Sequence, residues 1–318
     1  MAEWFKAPVL KTGEPKGSVG SNPTPSAMPG MRMASATSDQ SEENKMIMEK
    51  SDESWDPGSI LRQMERLLGG AAQGKADEAQ ELVYEAWEAP DDETAYDLLT
   101  QALELDPTNV DAWMGLLDYA PLGPEERIES LRRLVSVAED NLGEQAFRED
   151  KGHFWGLLET RPYMRARGHL AMSLMEAGRL EESIIEHEAI LELNPNDNQG
   201  MRYGLLSLYL SLKRLDGAAR LFEQYNERDF SAVFAWGYVL ERYLSRDTTA
   251  AISALKAARK QNPHAAAYAL GHRKLPKRMP ASYSMGSKEE AVIAWDIPKP
   301  AWEKHPEAEA WLRAQCGK

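Results

Sequence analysis

The chain has little cysteine: one thiol, Cys316, in 318 residues. A single thiol forms no internal disulfide and cannot build a thiolate-rich zinc site, which excludes a disulfide scaffold and suits a reducing, cytoplasmic setting. Long apolar runs are missing too. No window approaches the roughly eighteen consecutive apolar residues of a membrane-spanning helix, and the N-terminus lacks the charged, apolar, small order of a secretory signal. No segment is expected to span a membrane, and no membrane partner is expected. Basic charge is in deficit, with 37 Lys and Arg against 51 Asp and Glu for a formal net charge of −14. An acidic surface repels phosphate backbones, so no nucleic-acid partner is expected. Period-two alternation long enough for a convincing strand is absent. What remains is an ordinary globular balance, 42% hydrophobic and 28% charged, long enough for one extended domain or two compact ones.

Residues 1–27, MAEWFKAPVLKTGEPKGSVGSNPTPSA, show no helical or strand period and differ from everything downstream. Gly20-Ser21-Asn22-Pro23 can be written GGT TCG AAT CCC, which contains the T-arm sequence of a transfer RNA, and Leu10-Lys11-Thr12 can be written TTG AAA ACC, which suits an anticodon arm. The segment resembles a serine transfer-RNA gene read in a protein frame. Translation is then expected to begin at Met28, Met31, Met33 or Met46; a genuine N-terminal tail is the alternative. Either way residues 1–55 are expected outside the fold. The polar run from Ser35 to Glu43 buries too little apolar surface to offset chain entropy.

Downstream, apolar residues recur at three- and four-residue spacing between short breaks rich in Pro, Gly, Asn or Asp. Three breaks share a form: Leu105-Asp106-Pro107, Leu193-Asn194-Pro195 and Gln261-Asn262-Pro263. Pro195 and Pro263 are 68 residues apart, twice the period of about 34 that marks tetratricopeptide repeats. With Pro195 closing one repeat, Leu170 and Ala171 sit in its first helix, Gly178 at the turn and Ile190 on the inner face of its second. Ala251, Leu255 and Ala258 before Pro263, and Ala95, Leu99 and Ala102 before Pro107, take the matching second-helix positions, and Trp113 and Leu116 open the next repeat. Small residues let the helices of a hairpin approach, and large ones fill the groove of the neighbouring hairpin. Pro107 and Pro195 are 88 residues apart, which predicts an irregular insertion near 141–160, an extended helix followed by a packed loop. The expected fold is all-α: a solenoid of tetratricopeptide-like hairpins over 56–270, then a loop and short capping helices over 271–318. A capping box at Ser287-Lys288-Glu289-Glu290 predicts a helix from 288 to 295, and Pro306 opens a last helix.

Gly152-His153-Phe154-Trp155, Thr160-Arg161-Pro162-Tyr163-Met164-Arg165-Ala166-Arg167 and Leu193-Asn194-Pro195-Asn196-Asp197-Asn198-Gln199-Gly200 with Arg202 resemble bacterial tetratricopeptide-repeat proteins related to the suppressor-of-tumorigenicity-seven family. The resemblance implies a helical-repeat fold and no reaction. It implies no localisation either, because the bacterial relatives lack the membrane-spanning segments of the animal proteins.

No Gly-rich phosphate loop, nucleophile elbow or paired zinc motif is present, and no cofactor, metal or catalytic residue is assigned. The acidic pairs Asp91-Asp92-Glu93, Glu125-Glu126, Glu181-Glu182 and Glu289-Glu290 read as helix starts, where the dipole favours negative charge. His187, between Glu186 and Glu188, reads as a packed residue because adjacent helical positions do not face one another. The arginines from Arg161 to Arg167 could grip an acidic ligand or pair with carboxylates of neighbouring helices. Asn196-Asp197-Asn198 is expected to cap the following helix.

If the first helix of each repeat lines a concave groove, the groove positions are Arg165, His169 and Met172, with Met175. Gln199, Arg202, Tyr203 and Leu206 follow, with Tyr209, and then Val233, Trp236 and Tyr243, with Leu240. Rings and arginines suit a peptide, although packing between repeats would use the same large residues. Met172 and Tyr203 stand where related repeats place the asparagines of a carboxylate clamp, which argues against a terminal-carboxylate ligand. The expected function is a non-enzymatic scaffold holding a peptide or helix of a protein partner. The alternatives are an adaptor working through its capped ends around Trp302 and Trp311, and an enzyme with a dispersed site near His153, Arg161 and His187.

Overall fold

The computed structural model describes residues 75–226 and 231–316; the readings of residues 1–55 and of the start codon lie outside them. Among the described residues there are fourteen α-helices, one 3-10 turn and no strand, so the fold is all-α. The chain divides between Asn198 and Gln199 into two compact units.

The first unit contains α1 (Ala76–Glu88), α2 (Asp92–Leu105), α3 (Val110–Leu117), α4 (Pro124–Glu149), α5 (Arg161–Glu176) and α6 (Leu180–Leu193). Helix starts are set by local chemistry. Asp91 accepts from the Thr94 amide at 2.8 Å and Asn109 from the Ala112 amide at 2.9 Å, while Glu126 reaches back to the Gly123 amide at 2.8 Å. Each satisfies a donor that the helix leaves unpaired and contributes about 1 kcal/mol. The acidic pairs at residues 91–93, 125–126 and 181–182 all lie in or just before a first turn.

Helix α3 is the centre of this unit. Every residue from Val110 to Leu117 is buried, Asp111 included, and the Trp113 indole donates to the Pro107 carbonyl at 2.8 Å. Burying a large apolar side chain such as Met114 or Leu117 contributes about 1.5–3 kcal/mol. Gly115 faces the Leu99 methyls so closely that a β-carbon there would lie 2.7 Å away.

Around residues 141–160, where the spacing predicts an insertion, the chain forms the end of a helix followed by a packed loop. Helix α4 loses helical geometry at Gly143, whose φ of 69° and ψ of 163° a side chain would disfavour, and continues to Glu149. A 3-10 turn at Phe154–Gly156 follows. Phe147 lies 5.1 Å from both the Phe154 and Tyr163 rings, and the Thr160 hydroxyl donates to the Phe154 carbonyl, which pins the loop.

The second unit contains α7 (Met201–Ser211), α8 (Leu215–Tyr225), α9 (Ala232–Leu244), α10 (Thr248–Gln261), α11 (Ala265–Ala269), α12 (Lys288–Asp296), α13 (Lys299–Glu303) and α14 (Pro306–Cys316). Close approach uses glycine again: a β-carbon on Gly217 would meet the Tyr209 ring at 2.8 Å, and one on Gly237 would meet Leu206 at 2.8 Å. Helices α12 and α14 pack on α9, and α13 packs on α7. Half of the capping box expected at Ser287 forms: the hydroxyl accepts from the Glu290 amide at 3.1 Å, but Glu290 accepts from the Gly286 amide at 2.6 Å, one residue before the cap, and the Ser287 amide donates to the Ser284 carbonyl at 3.0 Å.

One expected cap does not form. Helix α7 starts at Gly200, in the left-handed region at φ 75°, without a side-chain cap, and Asp197 itself adopts a φ of 48°. A left-handed glycine supplies the turn that Asn196-Asp197-Asn198 was expected to provide.

Candidate functional site

In the first unit the arginines of α5 are committed to neighbours. Arg165 donates from Nε to Asp111 at 2.8 Å and from Nη2 to the other oxygen of the same carboxylate. That carboxylate also accepts from Gln80 Nε2 at 3.2 Å, and the guanidinium lies 5.2 Å from the Trp87 ring centre. Arg167 donates to Glu186 at 2.6 Å and to the Tyr163 hydroxyl, which donates to Glu139 at 3.2 Å. Burial pushes the Tyr163 phenol up to about 12. Arg161 donates to the Trp155 carbonyl at 3.0 Å and lies 5.6 Å from its ring centre. Of the two readings of this arginine cluster, the structure shows internal pairing.

Two histidines of this unit, His169 and His187, are buried packing residues. Burial, with Arg127 and Arg165 nearby, pushes His169 down to about 3. Burial pushes the fully enclosed His187 down to about 4. Its Nδ1 donates to the Ser183 carbonyl at 2.8 Å, and the Ser183 hydroxyl donates to Ala171 at 2.7 Å. His153 is exposed in the loop. Among the described residues, no three His, Cys, Asp or Glu side chains are placed to hold a metal ion. Burial raises the Cys316 thiol, which disfavours the reactive thiolate.

In the second unit the C-terminal helices cover much of what the sequence assigned to a groove. Trp295 of α12 meets Trp236 of α9 at 6.0 Å between ring centres and Trp302 of α13 at 5.9 Å. His305 Nε2 donates to the Leu210 carbonyl at 2.8 Å. The Tyr243 hydroxyl donates to the Glu307 carbonyl at 3.1 Å, and its ring lies 5.0 Å from Trp311. Of the ten residues expected to line a groove, Arg165, His169, Gln199, Leu206, Val233 and Trp236 are buried, whereas Met172, Arg202, Tyr203 and Tyr243 are half-buried. Trp302 has no exposed surface and Trp311 is half-buried.

The half-buried pair Arg202 and Tyr203 heads a continuous run of rings. The Arg202 guanidinium lies 4.3 Å from the Tyr203 ring centre and 5.3 Å from that of Tyr225, and donates to the Tyr203 hydroxyl at 2.9 Å. Tyr203 meets Phe234 at 5.6 Å, Phe234 meets Phe222 at 5.5 Å, and Phe222 meets Tyr238 at 5.2 Å, each nearly edge to face. At the far end Arg242 lies 5.3 Å from the Tyr238 ring centre. There a cavity of about 320 Å³ opens between α8 and α9, lined by Ala219, Phe222, Glu223, Asn226, Tyr238, Glu241 and Arg242. Glu241, buried, chelates Arg242 and accepts from the Ser245 hydroxyl at 2.8 Å.

Tyr225, Tyr238 and Arg242 were not singled out in the sequence. Tyr238 and Arg242 stand four apart on α9, the spacing that stacks side chains on one helix face, and this was the available signal. A scan of the chain against protein-family models finds no match, and a search of curated proteins finds none either.

Proposed function

We propose that the chain is a non-enzymatic, cytoplasmic scaffold of the tetratricopeptide kind, which holds a peptide or helix of a partner protein on the second unit. The observation that carries this is the Arg202, Tyr203 and Tyr225 stack, half-buried and already ordered, joined by packed rings to the cavity at Tyr238 and Arg242. Tyr and Arg dominate binding hot spots because they offer rigid area with directional polar groups and lose little freedom on contact. The cavity is wide enough for an anchoring side chain, with Phe222 and Tyr238 for apolar contact and Glu223 and Asn226 for polar contact. The spacing of Pro195 and Pro263 and the consecutive helix pairs support the repeat assignment.

The test is a pull-down from native lysate with mass spectrometry, repeated with Arg202→Glu and Tyr203→Ala combined. Two hot-spot truncations of about 2 kcal/mol each predict capture weakened by roughly a thousandfold, with far-UV circular dichroism unchanged. Equal recovery of the same partner by the folded variant would refute the assignment. The partner of an adaptor using its capped ends would respond to substitution of Trp311 instead.

A further inference from the structure

A net charge of −14 conceals a segregated distribution. Residues 75–198 contain 29 Asp and Glu against 10 Lys and Arg, whereas residues 199–318 contain 12 against 19. The excess is concentrated further still. From Thr248 to Lys288 there is no acidic residue and there are eight Lys or Arg.

The fold gathers these cations at one end of the second unit. Lys256, Arg259 and Lys260 are exposed on α10, and Arg273, Lys274, Lys277 and Arg278 are exposed in the segment after α11. The Arg273 amide donates to the Ala267 carbonyl at 3.0 Å, Arg313 of α14 donates to the Leu270 carbonyl at 3.4 Å, and Asn262 at the end of α10 donates to the Ser287 carbonyl at 3.0 Å. The end of α10, both ends of the loop and the last turns of α14 therefore meet.

Elsewhere several arginines hold carboxylates: Arg127 with Asp118, Arg165 with Asp111, Arg167 with Glu186 and Arg242 with Glu241. Here Lys256, Lys260, Arg273, Lys274, Lys277 and Arg278 form no ion pair with a described residue. Glu290, the nearest buried acid, is taken up by Asn262 and the Gly286 amide at 2.8 and 2.6 Å. Among the described residues of this unit, two large apolar side chains are exposed, and both adjoin these cations. Ile252, 45% exposed, stands one turn before Lys256 on α10, and Met285, 52% exposed, precedes Gly286, which lies against the Gln261 carbonyl.

We infer that this end of the second unit docks peripherally on a bilayer carrying anionic lipid headgroups. A cluster of unpaired Lys and Arg is drawn to such a surface, each adding to the attraction, and isolated aliphatic side chains beside them insert at the headgroup boundary. A phosphate backbone has no use for an exposed Ile and Met, and stacking on bases needs open rings, whereas Tyr268 and Tyr283 here are half-buried. The cations spread over a helix and a loop, which suits a planar charged surface. No helix among the described residues is long and apolar enough to cross a membrane. This surface is separate from the Arg202 stack, and its occupancy does not depend on a peptide partner.

The test is co-sedimentation of the full chain with large vesicles of phosphatidylcholine alone or with about 30% phosphatidylglycerol, at about 0.1 and 0.5 M NaCl. The chain is expected to sediment with anionic vesicles only, and binding falls at least about tenfold at the higher salt. Combining Lys256→Glu, Lys260→Glu, Lys274→Glu and Lys277→Glu gives a loss at least as large. Ile252→Ser with Met285→Ser weakens binding several-fold at unchanged charge. Lack of sedimentation, equal binding to neutral vesicles, or insensitivity to either set of substitutions would overturn the inference. Tighter binding to a labelled DNA or RNA duplex than to anionic vesicles at the same salt would also overturn it and reassign the surface to nucleic acid. Should a variant unfold, the lipid and salt comparisons on the unaltered chain still decide.

Discussion

Replacing Asp111 by Ala tests the claim that the first unit is organised around one buried ion pair. The Asp111 side chain has no exposure and that of Arg165 is one-tenth exposed, so either partner left alone is a charge cut off from water. Breaking such a pair costs about 3–5 kcal/mol, most of it the penalty of the stranded charge. Asp111→Ala also strands the Gln80 amide, and Arg165→Ala removes the cation over Trp87. Each single variant is expected to lose about 3–5 kcal/mol. The double variant should lose about 2–3 kcal/mol less than the sum, because no charge remains stranded. Urea unfolding followed by far-UV circular dichroism reads this directly: with a slope of about 1–3 kcal/mol/M, the midpoint moves down by one or more molar units at unchanged slope. Hydrogen exchange of the α3 amides restricts the reading to this unit. NMR titration of Arg165→Ala should find the His169 imidazole above its value of about 3, because one of the two cations pushing it down is gone. A loss below about 1 kcal/mol in the single variants, or strict additivity in the double, would refute the central role of the pair.

Two further perturbations test other parts of the fold. His187 is held neutral by burial at about 4, below its ordinary 6.5. The unfolded state therefore binds more protons below pH 6.5, and the stabilisation present above that pH is lost as pH falls toward 4, by up to about 3 kcal/mol. The His187→Phe variant should lose less melting temperature than the unaltered chain between pH 7 and 4.5, and parallel curves would disprove it. Asn262 has no exposure and bonds Ser287, Glu290 and the amides of His264 and Ala265. The Asn262→Ala variant should cost about 2–3 kcal/mol and speed hydrogen exchange at the start of α12; unchanged exchange there would contradict the lock.

Much of the helical skeleton could be read from local signals. Pro107, Pro195 and Pro263 each follow a helix end, and the Ser287 hydroxyl caps the helix from 288 as its spacing required. These features act within a few residues, and spacing encodes them. Periodicity gives a helix an apolar face without saying what covers it. Trp236 and Val233 were assigned to an open groove, and both are buried on a helix against which α12 and α14 pack. Partners across long separations were equally hidden: Arg165 could be seen as an arginine in need of a carboxylate, but nothing in the sequence singles out Asp111, 54 residues earlier. The basic surface on α10 and the loop after α11 was hidden for another reason. A net value sums over the chain, whereas a surface responds only to charges within about one Debye length.

The cover over α9 also sets an order of assembly. Trp236 and Leu240 have no exposed surface; α7, α8 and α10 pack on α9 from nearby in sequence, but α12 and α14, which also pack on it, begin only at Lys288. At synthesis rates of roughly 5–20 residues per second, α9 precedes them from the ribosome by several seconds. During that interval the part of its apolar surface that α12 and α14 later cover lies open. A nascent chain stalled between Leu244 and Lys288 would present a sticky helix pair to chaperones, and one extended past Leu312 would have withdrawn it.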